Sequence, residues 1–163
     1  MAPLSKTIDY KKLAGAIALC EITGIVAGFF TINAVKNFCI LMRKPGFDLP
    51  EWILGPLWSL VYLLMGIAFY NVLKHRVKSH ANYKSGIILF WVQLVLNLLW
   101  IITLFGLKDP FLAFLVIVLL ITALCFWMLQ LQKIHKTSAL LQIPYLLWCC
   151  FVIVLNYYII HPN

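Results

Sequence analysis

Residues 51–70 read EWILGPLWSLVYLLMGIAFY, and the nineteen residues after Glu51 carry no charge. A helix needs about 20 apolar residues to cross a hydrocarbon core roughly 30 Å thick. The stretch therefore reads as a membrane-spanning helix opened at Pro50. A plain anchor needs only Leu and Val. Here Trp58, Tyr62, Met65 and Phe69 stand at i, i+4, i+7 and i+11, a single stripe down one helix. Trp and Tyr collect at the membrane–water interface, which accounts for Trp52. Trp58 and Tyr62 lie deeper, where an indole N–H or a phenol needs a partner. Interhelical packing accounts for any one ring; a stripe of them asks what the rings face.

The same length test, carried outward, finds four more spans. The set runs at about 13–34, 50–73, 86–105, 110–131 and 139–160. The connectors, such as KHRVKSHANYK, GLKD and QKIHKT, are too short for a soluble domain. The expected architecture is an all-α bundle of five transmembrane helices, one integral membrane domain over residues 1–163. Composition agrees: 64% of the 163 residues are hydrophobic and 11% charged, against about 25% charged in soluble proteins. The first apolar run has no A-x-A-like exit and reads as a retained helix. Asp109 followed by Pro110 is an N-cap and first-turn pair for the fourth helix. Pro56 and Pro144 each remove a helical hydrogen bond, to the carbonyls of Trp52 and Leu140, and invite bends. No internal repeat marks an inverted-repeat transporter.

Thirteen Lys and Arg oppose five acids, a formal +8. No basic stretch interleaved with aromatics lies outside the spans, so nucleic acid is not the expected partner; basic loops on an anionic membrane surface are. An odd number of spans puts the termini on opposite sides. Nine basic residues fall on the side of the N-terminus and four (Lys36, Arg43, Lys44, Lys108) on the other. That excess predicts a cytoplasmic N-terminus. The five cysteines contain no C-x-x-C and read as buried small hydrophobes.

Polar residues inside the spans are few. Phe90, Gln93, Asn97, Trp100 and Leu104 share one face of the third helix, and carboxamides in hydrocarbon must face protein or a cavity. On the fifth helix, Pro144, Trp148, Phe151 and Leu155 form one edge; Tyr145, Cys149, Val152 and Asn156 form the next. Glu21 is the one acid within a span, on a face with Gly24 and Gly28, a small-xxx-small packing pattern. With no second acid, Lys or His in the spans, it lacks partners for acid–base catalysis. His75, His80, His135 and His161 show no ligand spacing, and no Gly-rich phosphate loop occurs. No metal, no cofactor and no conventional catalytic residue is expected. Aromatic, amide and Pro-bent faces that converge point to a hollow for a flat, apolar guest.

These residues resemble the TspO/MBR family of tryptophan-rich sensory and translocator proteins. The stretch from Leu54 to Tyr70 is similar to its second-helix signature. Lys44-Pro45 and Pro50 resemble the first loop, and Gln93-Leu94-x-x-Asn97-x-x-Trp100 the third helix. Pro144-Tyr145-Leu146-x-Trp148-x-x-Phe151 through Tyr158 resembles the fifth, and Cys20-Glu21-x-x-Gly24 the first. The likeness covers essentially the whole chain. It implies a multi-pass protein, of the plasma membrane in a prokaryote, commonly a homodimer, acting as receptor or in transport. Its pocket would bind porphyrin or haem-type tetrapyrroles through Phe47, Trp58, Tyr62, Asn97, Trp100, Trp148, Phe151 and Val152. It also implies two alternatives, a light-dependent porphyrin-degrading enzyme using Trp58 and Trp148, or a sterol- or lipid-binding translocator. The chain departs from the family at Phe47, where Trp is usual, at Phe38-Cys39, which lacks a phenol, and at Val116, where an acid is usual. The sterol-recognition pattern wants Lys or Arg after the tyrosines, where only His161 stands, so tetrapyrrole ranks above sterol.

Overall fold

The computed structural model describes residues 8–41, 51–74 and 80–160, with side chains at 8–29, 55–74 and 82–160. Six helices follow in order: α1 Tyr10–Leu41, α2 Glu51–Lys74, α3 His80–Ile101, α4 Pro110–Ile134, α5 Lys136–Leu140 and α6 Ile143–Ile160. Five segments are long and apolar enough to cross a membrane; α5 and α6 together make the last, from Lys136 to Ile160. The chain is an integral, multi-pass membrane protein. Helices answer the physics of the solvent, since a spanning segment in hydrocarbon must satisfy every backbone polar group internally. Observed helices run past the expected spans, to residue 41 instead of 34 in α1 and from residue 80 instead of 86 in α3. Hydrogen bonding continues into the polar interface, where hydropathy stops reporting it.

The helix ends follow local rules. Asp9 Oδ1 accepts from the Lys12 N–H at 3.2 Å, capping α1, while Lys12 Nζ lies 3.1 Å from Asp9 Oδ2. Hydrogen bonding from Lys12 holds that exposed carboxyl below its ordinary range. Beyond Ile101 the third span widens into a π-type turn, Ile102–Gly106, in which the Leu107 N–H reaches the Ile102 carbonyl at 2.8 Å. Lys108 then takes a left-handed φ of 55°, turning the chain into Asp109. Asp109 Oδ1 accepts from the Leu112 N–H at 2.9 Å, with Pro110 opening α4, the cap and first-turn pair expected from sequence.

The two prolines behave differently. Pro56 stays inside a continuous α2. Before Pro144, the last span breaks into α5 and α6 at Leu141 and Gln142. Pro144 has no N–H for the Leu140 carbonyl, and the missing bond falls at that break. The break turns the Gln142 carboxamide onto α2, where Nε2 donates to the Leu64 carbonyl at 3.2 Å.

α1 packs on α2, and α4 packs on both α3 and α6. At the α1–α2 crossing, a Cβ on Gly66 would sit 2.8 Å from Ile17 Cα, so only hydrogen fits there. Close backbone approach through a small residue is how membrane helices gain van der Waals contact. Three polar ties fix one end of the bundle. Tyr70 Oη accepts from the Asp9 N–H (2.9 Å), Asn71 Nδ2 donates to Ser138 Oγ (2.8 Å), and Trp127 Nε1 donates to the Gly86 carbonyl (3.0 Å). This end gathers Lys11, Lys12, Lys74, Lys84, Lys133 and Lys136; among the described lysine side chains only Lys108 lies at the other. The outer surface is apolar throughout, with Phe29, Val95, Leu119, Phe126 and Leu147 exposed, as lipid contact requires.

One expectation is corrected. Cys20 and Cys149 are buried, but Cys125 and Cys150 are exposed. A thiol is apolar enough to face lipid tails, so hydrophobicity alone did not place them inside.

Candidate functional site

At the end opposite the lysine cluster, α2, α3 and α6 each deliver an indole. Trp58 lies in the first third of α2 and Trp100 in the last turn of α3. Their rings stack with centroids 6.0 Å apart and planes 19° from parallel. Trp148 of α6 meets Trp58 edge-on, at 6.1 Å and 77°. Phe151 leans on Trp148 at 5.5 Å, and Phe105, in the π-type turn, stands edge-on to Trp100 at 6.0 Å. Such pairs contribute about 0.5–1.5 kcal/mol each beyond the area they bury. Trp100 is buried, while Trp58 and Trp148 are half-buried and packed against the core.

One helical turn deeper, a hydrogen-bonded chain spans the same three helices. Tyr62 Oη donates to Asn97 Oδ1 at 2.6 Å, and Asn97 Nδ2 donates to Tyr145 Oη at 2.9 Å. All three residues are at most 3% exposed, so each bond forms where water does not compete. The Tyr62 ring tilts against Trp58 at 6.1 Å, tying this layer to the indoles above. Deeper again, Phe69 and Phe90 stack at 3.7 Å and 8°, with Trp127 beside Phe90 at 5.9 Å.

Several buried polar atoms have no partner among the described residues: Trp100 Nε1, both carboxamide atoms of Gln93 and of Asn156, and Gln142 Oε1. Native interiors pair more than nine in ten such groups. The Trp100 N–H, buried and unpaired among the described residues, belongs to the indole cluster itself.

The first helix closes the site from one side. A Cβ on Gly24 would lie 2.5 Å from the Tyr62 ring, so that glycine lets α1 rest on Tyr62. Glu21, a turn earlier, accepts from Ser59 Oγ at 3.0 Å, a bond across the α1–α2 interface next to Trp58. Gly28 differs: a Cβ there would meet nothing within 4 Å among the described residues.

Trp58, Tyr62, Asn97, Trp100, Trp148 and Phe151 thus converge. Val152 is buried on the α6 face that also holds Tyr145, Cys149 and Asn156. Phe47 and the rest of the first connector lie outside the described residues. Sequence reasoning placed Tyr145 on the right helix edge but not among the site residues. Its signal was there, a phenol seven residues before Val152 on one face. Gln142 gave none, because its position depends on the break before Pro144.

The geometry has counterparts in known proteins. A sequence model of the TspO/MBR family matches residues 16–161. The chain is similar to the tryptophan-rich protein TspO of Chlorobaculum tepidum, 33% identical over 93% of this chain and 95% of that one. It is also similar to the tryptophan-rich protein TspO of Archaeoglobus fulgidus, at 33% over 90% and 93%. Likeness to the human translocator protein is 30%, over 75% of this chain and 72% of that one. With the family pattern spread over all five spans, the chain belongs to the TspO/MBR family.

Proposed function

We propose that this protein is a membrane receptor or carrier for a planar tetrapyrrole of the porphyrin or haem type, held by the α2–α3–α6 cluster. The observation that carries the reading is the Trp58–Trp100 stack with Trp148 on its edge. Three indoles from three helices offer faces and edges to a large flat ring. The unpaired Trp100 N–H offers a donor, and the Tyr62–Asn97–Tyr145 chain forms a rigid floor. Val152 and Phe151 supply apolar wall. Phe47 and the first-connector cations would close the mouth and meet propionates. A second copy of the chain would pack on the outer face of α1, where Ile22, Ile25, Val26 and Phe29 are exposed.

Titration of detergent-purified protein with protoporphyrin, read by tryptophan quenching, tests this. Saturable quenching is expected, weakened about tenfold by Trp58→Ala or Trp148→Ala, roughly one aromatic contact each. No saturation, or unchanged affinity in both variants, ends the reading. The 6.1 Å Trp58–Trp148 contact also favours a second reading, light-dependent breakdown of the bound ring. Bleaching under illumination no faster than in a protein-free control discards it.

A further inference from the structure

A groove of about 500 Å³ opens on the outer surface between α3 and α4, remote from the indole cluster. Its walls are Ile88, Leu89, Phe126 and Leu129, and its upper end is closed by Ser85, Gln130 and Lys133. The helices run antiparallel there. Residues 126 to 133 cover roughly 10 Å of helix at 1.5 Å per residue, so the polar end and the apolar trough are stacked along the bundle axis. The polar end is also the lysine-rich end of the molecule, with exposed Lys84 beside Ser85 and Lys136 just beyond α4.

Each feature narrows the occupant. The groove opens outward along a span, so what reaches it comes from the bilayer. Ile88, Phe126 and Leu129 are each more than half exposed, leaving an apolar trough about as long as the upper part of one acyl chain. The volume falls within the roughly 300–1,000 Å³ typical of small-ligand sites, and the trough lies open along its outer side. Lys133 at its head carries a positive charge with no described acid near it. Gln130 Oε1, beside it, is buried and has no partner among the described residues. A headgroup that matches offers an anion to Lys133 and, once the Gln130 side chain turns into the groove, a hydroxyl donor to its carboxamide. Phosphatidylglycerol does both; a zwitterionic choline headgroup has no hydroxyl and brings a second cation against Lys133. Lipid recognition by basic residues at the membrane surface is a general electrostatic effect.

We infer that the α3–α4 groove is a binding site for an anionic, hydroxyl-bearing phospholipid, its headgroup on Lys133, Ser85 and Gln130 and one acyl chain along Ile88, Leu89, Phe126 and Leu129. The site is independent of the tetrapyrrole reading, since it shares no residue with the indole cluster.

The test uses the full chain in vesicles of phosphatidylcholine doped with a trace of photoactivatable lipid, its diazirine high on one acyl chain. The reactive lipid is either phosphatidylglycerol or phosphatidylcholine, and labelled peptides are mapped by mass spectrometry. Phosphatidylglycerol is expected to label the 85–89 and 126–133 segments about fivefold more than phosphatidylcholine does, the weight of one cation at an anionic surface. Lys133→Glu abolishes that preference and Lys133→Arg keeps it. Leu89→Trp, which fills the trough, lowers labelling by both lipids at these segments but not elsewhere. Equal labelling by the two lipids, labelling spread evenly around the bundle, or a preference untouched by Lys133→Glu overturns the proposal. A far-UV circular dichroism spectrum and thermal midpoint of Lys133→Glu equal to those of the parent show that variant folded.

Discussion

Asn97 and Gln93 stand a helical turn apart on the same buried face, yet they do opposite things. Asn97 joins two tyrosine hydroxyls. Replacing it with Leu strands the Tyr62 hydroxyl inside a dry core, at about 1–3 kcal/mol for a buried group left unpaired, and leaves the Tyr145 hydroxyl with the Cys149 thiol alone. Asn97→Leu is therefore expected to lower the thermal midpoint in detergent by several degrees. Gln93 has neither carboxamide atom paired among the described residues. Gln93→Leu is expected to leave the midpoint unchanged or raise it, because an apolar side chain of similar size loses nothing there. A fall as large as that of Asn97→Leu would mean that Gln93 is held by an interior partner. Both measurements are differential scanning fluorimetry on the same preparation.

Among the elements, α1 and α2 meet through two glycines of different consequence. At Gly66 a methyl group would press on the Ile17 backbone, which cannot swing away, and overpacking of this kind costs about 1–3 kcal/mol. At Gly24 it would press on the Tyr62 ring, which can rotate but would then leave Asn97. Gly66→Ala is thus expected to lower stability. Gly24→Ala is expected to weaken porphyrin affinity more than stability, and Gly28→Ala should change neither in the monomer. Denaturation midpoints and quenching titrations, run on all three, separate these outcomes. Equal effects at Gly24 and Gly28 would show that α1 does not rest on Tyr62. The break between α5 and α6 belongs to the same scale: Pro144 costs one backbone bond, and the bend it permits sets Gln142 on α2.

For the molecule as a whole, five spans place the two termini on opposite sides of the bilayer. Reporter fusions at either end are expected to be active on opposite faces, the N-terminal one in the cytoplasm, as the basic-residue excess predicts. Activity on the same face would rule out five spans. The lysine-rich end and the indole cluster lie at opposite ends of the bundle, so the proposed tetrapyrrole site would open away from the cytoplasm under that topology. Alkylation of an impermeant kind that blocks quenching only from outside would agree.

Five helices, their order, and the stripes carrying Trp58, Tyr62, Asn97, Trp100 and Trp148 were legible in the chain alone. Hydrocarbon length and helical period are local properties, written residue by residue. The cap at Asp109 was equally local, whereas Pro56 and Pro144 carry the same local signal and only Pro144 follows a break in its span. What required the fold was which stripe meets which. Tyr145 answers Asn97, Ser59 answers Glu21, and Gly66 rather than Gly28 takes a tight crossing, and none of these pairs is closer than 38 residues in sequence. In a helix that is apolar on every side, hydropathy does not distinguish the face that meets lipid from the face that meets protein. Cys125 turned outward and Cys149 inward for that reason: only the shape of neighbouring helices decides.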